Sequence, residues 1–160
     1  MKKWLLIVFF MVVVLVIWQS ISLYETIQAG KNGSRNKAVK IAKERYNLVK
    51  VQSGEPYYGN KAYFVVEGKN KAHKSIIVWV DEKGNTYSET KSSGLSKKEM
   101  LAYTKRNLNP KKIIDIRLGM DNDHPIWEVV YIDSNNRYTF YDGYFENGSR
   151  YKKYSIKQDI

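Results

Sequence analysis

The chain has 160 residues, a formal net charge of +11 and no cysteine. The missing cysteine excludes thiol nucleophiles, thiolate metal sites, a disulfide framework and a bacterial lipoprotein anchor. The length accommodates an apolar leader plus one ordinary domain or two small ones.

Met1-Lys2-Lys3 precedes an unbroken apolar run from Trp4 to Trp18, and Trp4–Leu23 is 20 residues long. That is the length of helix needed to cross a hydrocarbon core of about 30 Å. Trp4 and Trp18 sit at the ends of the strict run, where indoles favour the interface, and the lysines hold their flank in the cytoplasm. The reading is a single-pass anchor over 1–23 with a cytoplasmic N-terminus and an extracellular body. A cleaved signal peptide would need a small-x-small site. The candidate is Ile27-Gln28-Ala29, where isoleucine suits the first position poorly.

Residues 24–33 read as a linker, broken by Gly30-Lys31-Asn32-Gly33. Ser34 is then the expected cap of a first helix, with Ala38, Ile41, Ala42 and Tyr46 at helical spacing. Ser96 opens a second helix, and Glu99 three residues later completes a capping-box pattern. Leu101 and Ala102 are its expected apolar side, and Asn109-Pro110 its end.

Each helix is followed by strand patterns. These are 49–53, 62–67, 75–80 and 86–90 in the first half, and 113–118, 126–132, 138–144 and 150–156 in the second. Lys83-Gly84-Asn85 and Asn147-Gly148-Ser149 read as hairpin turns, because Gly and Asn accept positive φ. An ungapped offset of 64 residues places Ala38 on Ala102, Val66 on Val130, Ile76 on Phe140 and Gly84 on Gly148. The expected fold is α+β: two repeated units of a helix and a four-stranded antiparallel sheet, 34–95 and 96–160.

Charge is uneven. Residues 31–50 and 91–112 each carry +6, whereas 113–148 carry −5. Lys37, Lys40, Lys43 and Arg45 on the first helix, and Lys97, Lys98, Lys105 and Arg106 on the second, are candidate contacts for anionic lipid or wall polymer. The same charges also suit a plain solvated helix surface. Nucleic acid is excluded as a partner by the export topology.

No catalytic constellation emerges. His73 reads as a turn residue. Asp121-Asn122-Asp123 lacks the glycine and terminal glutamate of a calcium loop and reads as a β-turn. Ser34-Arg35-Asn36-Lys37 matches Ser-x-x-Lys without its companion motifs. Asp81-Glu82 makes a poor acid–base pair. No phosphate loop is present, and no cofactor or metal site is implied.

Lys2–Trp18, Ala62-Tyr63-Phe64-Val65-Val66-Glu67-Gly68, Ile77-Val78-Trp79-Val80-Asp81 and Trp127-Glu128-Val129-Val130-Tyr131 together resemble the YpmB/TseB-like family of low-GC Gram-positive bacteria. The resemblance implies a cystatin-like, PepSY-related fold for each unit. It also implies a non-enzymatic role in regulating cell-wall elongation, through a membrane-bound penicillin-binding transpeptidase. An exposed edge strand or the aromatic second sheet is the expected contact. A PepSY-like modulator of an extracellular protease is the alternative from fold analogy.

Overall fold

A computed structural model describes residues 2–157, with side chains for 9–19 and 32–157. The element order is α1 (Lys2–Tyr46), β1 (Leu48–Tyr58), β2 (Ala62–Asn70), β3 (Ser75–Asp81), β4 (Thr86–Thr90), a short 3-10 turn, α2 (Lys97–Asn107), β5 (Lys112–Asp121), β6 (His124–Ile132), β7 (Arg137–Tyr144) and β8 (Arg150–Lys157). All eight expected strands are present. They form two antiparallel meanders, β1-β2-β3-β4 and β5-β6-β7-β8.

Compactness divides the chain between Asn36 and Lys37. In the first part, the described side chains from Phe9 to Trp18 are apolar and exposed. Most of the remaining residues of the expected anchor, 4–8 and 20–23, lie outside the described side chains. Among the described residues no helix is long and apolar enough to cross a membrane. The helix of α1 is continuous through 24–33, so the expected break and the Ser34 cap are corrected. Glycine costs only about 1 kcal/mol in a helix interior, and no proline stands in α1 to stop it.

From Lys37 onward, the two repeats are built alike. The last turns of α1 press Ala38 and Ala42 onto Leu48, Val66, Val78 and Val80 of the first sheet. In the second repeat, α2 is fixed by a complete capping box between Ser96 and Glu99. Its buried residues are Met100 and Thr104. Ala102, expected on the apolar side, is exposed, and Leu101 is half-buried. Thr104 satisfies its hydroxyl on the Met100 carbonyl at 2.8 Å.

The ungapped offset of 64 does not survive. Ala38 and Ala42 take the places of Met100 and Thr104, 62 residues apart. The left-handed asparagines that follow the two helices, Asn47 and Asn109, show the same spacing. In the sheets, Val66 pairs with Val78 and Val129 with Tyr141, a shift of 63. The turn glycines Gly84 and Gly148, both with positive φ, are 64 apart. Ser88 and Lys153, the partners of Val78 and Tyr141, are 65 apart. The spacing thus grows by single residues along the second repeat. A one-residue slip exchanges the two faces of a strand, so pairing Val66 with Val130 put the second sheet inside out.

The sheets differ in what covers them. The first sheet's face away from α1 carries Tyr57, Val65, Ile77 and Trp79, and all four enter one core with Met100, Ile116, Trp127, Tyr131 and Phe145 of the second repeat. Trp79 meets Phe145 edge-on, with ring centroids 5.9 Å apart. Tyr57 lies over Gly119, where an added Cβ would come within 2.4 Å of the ring. The second sheet turns Val129, Tyr131 and Tyr141 toward α2, and Tyr103 of α2 stands 6.5 Å from the Tyr141 ring.

Candidate functional site

The second sheet's other face is assembled from cross-strand rows. One row is Ile132, Tyr138 and Ile156; the next is Val130, Phe140 and Tyr154. Neighbours directly across an antiparallel pair bring their side chains together, and here the side chains are aromatic and β-branched. Phe140 and Tyr154 stack, with centroids 4.8 Å apart and planes 6° from parallel. Yet Tyr138 stays 40% exposed, Tyr154 46% and Ile156 54%. Exposed apolar side chains grouped on one face of a rigid sheet are the kind of surface at which proteins meet partners.

The third row is charged: Arg117, Glu128, Asp142 and Lys152. Arg117 holds Glu128 through Nε at 2.7 Å and a terminal nitrogen at 2.5 Å. Asp142 is buried, and its Oδ1 has no hydrogen-bond partner. Burial, then the neighbouring Glu128, push its carboxyl up to about 6, while Lys152 opposes the shift. Asp121 closes this end of the face and accepts a 2.7 Å hydrogen bond from Asn60. The Tyr57 ring lies alongside, with the Arg117 guanidinium 5.9 Å from its centroid. Burial raises the Tyr57 phenol well above its ordinary range. The surface therefore runs from an exposed aromatic end to a closed, charged end.

The eight candidate basic residues do not converge on one patch of shared contacts. Lys37 donates to the Glu82 carbonyl at 3.3 Å, and Arg45 to Thr86 at 3.2 Å. Lys40 lies 4.0 Å from Glu44, both exposed. Lys43 is exposed. Lys97 and Lys98 occupy the first turn of α2, Lys105 and Arg106 its last, and all four are exposed. Lys105 and Arg106 sit well with the helix dipole; Lys97 and Lys98 oppose it.

The other sequence candidates do not come together: Ser34 lies within α1 and Asp81 ends β3. His73, Asn122 and Asp123 have positive φ. His124, the first residue of β6, packs against the rings of Tyr144 and Tyr151 at 6.0 and 5.8 Å, and those two rings meet each other at 5.3 Å. Among the described residues, no three His, Asp or Glu side chains are placed to share a metal ion. Sequence reasoning named the aromatic second sheet but missed the row of Glu128 and Asp142. Their alternation with Val130 and Phe140 was the available signal.

Comparison with known proteins agrees with this architecture. The family description "Cell wall elongation regulator TseB-like domain" matches residues 37–81. The chain is 27% identical over 135 residues to the "Probable cell wall elongation regulator TseB" of Bacillus subtilis (strain 168), covering 83% of this chain and 84% of that protein. The solved "YpmB protein from Bacillus subtilis" superimposes with a TM-score of 0.70 at 25% identity, over 76% of this chain and 96% of the other. The resemblance read in the sequence holds in both sequence and fold: this chain is similar to the TseB-like cell wall elongation regulators, and the match to their domain lies over residues 37–81.

Proposed function

We propose that the chain is a non-enzymatic, membrane-anchored extracellular regulator of cell-wall elongation, and that it acts by binding a membrane-bound penicillin-binding transpeptidase. A regulatory role in cell-wall elongation is what its relatives' names support. The observation that carries the binding mode is the uncovered aromatic end of the second sheet, Tyr138, Phe140, Tyr154 and Ile156. Tyrosine and other large side chains clustered on a rigid surface supply most of the binding energy in protein interfaces. The anchor rests on the apolar run from Trp4 to Leu23 and its lysine flank. On this reading the basic helices, Lys37 to Arg45 and Lys97 to Arg106, bias the body toward anionic lipid or wall polymer.

The test is capture from detergent-solubilised membranes of the parent bacterium with the full chain as bait. A penicillin-binding transpeptidase retained by the native chain, and lost with Tyr154→Ser/Ile156→Ser, is the expected result. Recovery of an extracellular protease instead would favour the PepSY-like modulator. Protease added to wall-stripped cells should digest the body; protection of residues 37–157 would overturn the topology.

A further inference from the structure

A second site lies away from the exposed aromatic end and meets that face only at Arg117. A cavity of about 270 Å³ opens between the first sheet's inner face and the start of α2. Val65, Ile77 and Trp127 give it an apolar lining. Lys91 and Arg117 line it too, but each already has an acid: Lys91 holds Glu67 at 2.5 Å, and Arg117 holds Glu128. Lys97 and Lys98 have no acidic group within 4.0 Å among the described residues, and Glu55 has no basic one.

The two lysines stand where a helix disfavours cations, at the positive end of its dipole. The acid of that turn, Glu99, is committed to the Ser96 backbone and hydroxyl at 2.8 and 2.7 Å. The cavity therefore combines uncompensated positive charge, an apolar interior and one free acceptor, Glu55. An inorganic anion would satisfy the lysines and leave the apolar lining wet. An apolar body with a carboxylate satisfies both, and a neighbouring peptide N–H matches Glu55. The volume is just below the roughly 300–1,000 Å³ of drug-sized sites, which suits a terminal residue rather than a long chain.

We infer that this cavity binds the carboxyl terminus of a peptide: an apolar last residue whose free α-carboxylate is held by Lys97 and Lys98. The inference is independent of the transpeptidase reading, because it uses a different surface and a different ligand.

The probe is acetyl-Ala-Ala-Leu, titrated into the full chain in detergent while the indole N–H resonance of Trp127 is followed. The free acid should shift that resonance saturably, and the amidated peptide should bind at least about tenfold more weakly. Lys97→Gln/Lys98→Gln should lose about tenfold in affinity with a melting temperature that does not fall, since the capping box remains and two cations leave the positive end of the helix. Ser53→Trp, which fills the cavity from β1, should abolish the shift. The tripeptide fused to the end of a carrier protein separates the two sources of such a terminus: binding admits protein ends, and exclusion confines the site to short peptides. Equal binding of acid and amide would overturn the inference. So would an equal response to inorganic phosphate, or no saturable shift with the free acid.

Discussion

The two repeats place equivalent side chains in opposite circumstances. On the first sheet's face away from its helix, Ile77 and Trp79 are 1% and 0% exposed, sealed by the second repeat. Their counterparts 63 residues on are Phe140 and Asp142. Phe140 stacks on an exposed tyrosine, and Asp142 is buried without a partner for one oxygen. One face of the common plan joins the repeats, and the same face of its copy stays uncovered at its aromatic end. The residue types follow: beside Tyr57 the sealed face carries Val65, Ile77 and Trp79, and the open end is built on tyrosines, whose rings are apolar and whose hydroxyls tolerate water.

If that division is right, the largest loss of stability comes from the sealed face. Trp79→Ala removes a fully buried ring that also meets Tyr87 at 6.0 Å. It should cost about 3–5 kcal/mol in denaturant unfolding. A loss below about 1 kcal/mol would mean the first sheet is not closed by the second repeat.

The next effect is the pH response of Asp142. Its folded pKa of about 6 lies above the unfolded value, so the folded state binds the proton more tightly. The stabilisation is complete below about pH 4 and disappears as pH rises through about 6, an amplitude of at most about 3 kcal/mol. Asp142→Asn should flatten this part of the stability curve and raise stability at pH 7. Unchanged stability between pH 4 and 7 in both proteins would place Asp142 in solvent, on a face more open than described.

A smaller effect belongs to α2, which is held by its capping box. Ser96→Ala breaks the capping box and should cost about 1 kcal/mol. Its circular dichroism melt should fall while the strand signal persists.

How far this was legible in the sequence depends on the scale of the question. The eight strands, the α2 cap and the turn glycines were readable because each rests on a local rule. The first helix was readable from Ala38 to Tyr46, but not its start, since Gly30 and Gly33 are tolerated where nothing else stops the helix. The repeat was readable, but not its register. Gly84 and Gly148 do lie 64 apart, and carrying that number to Val66 and Val130 reversed the faces of β6 and β7. Only the pairing of strands and the phase of Met100 and Thr104 correct it. The open end was legible as a run of tyrosines. That Tyr138 and Tyr154 stay exposed while Tyr131 and Tyr141 are buried follows from which face α2 takes, and no local pattern states that.

The smallest effect on stability belongs to the open face, and there the effect on binding should be greatest. Tyr154→Ser/Ile156→Ser alters two residues that are about half exposed. Unfolding should change by about 1 kcal/mol or less in total, most of it from the lost Tyr154–Phe140 stack. The most direct measurement is the affinity of this double variant, beside the native chain, for the purified extracellular region of the transpeptidase recovered by capture. The expected result is a loss of at least about tenfold with the chain still fully folded, in line with removing aromatic anchors. Equal affinity of the two proteins would contradict it and place the partner elsewhere.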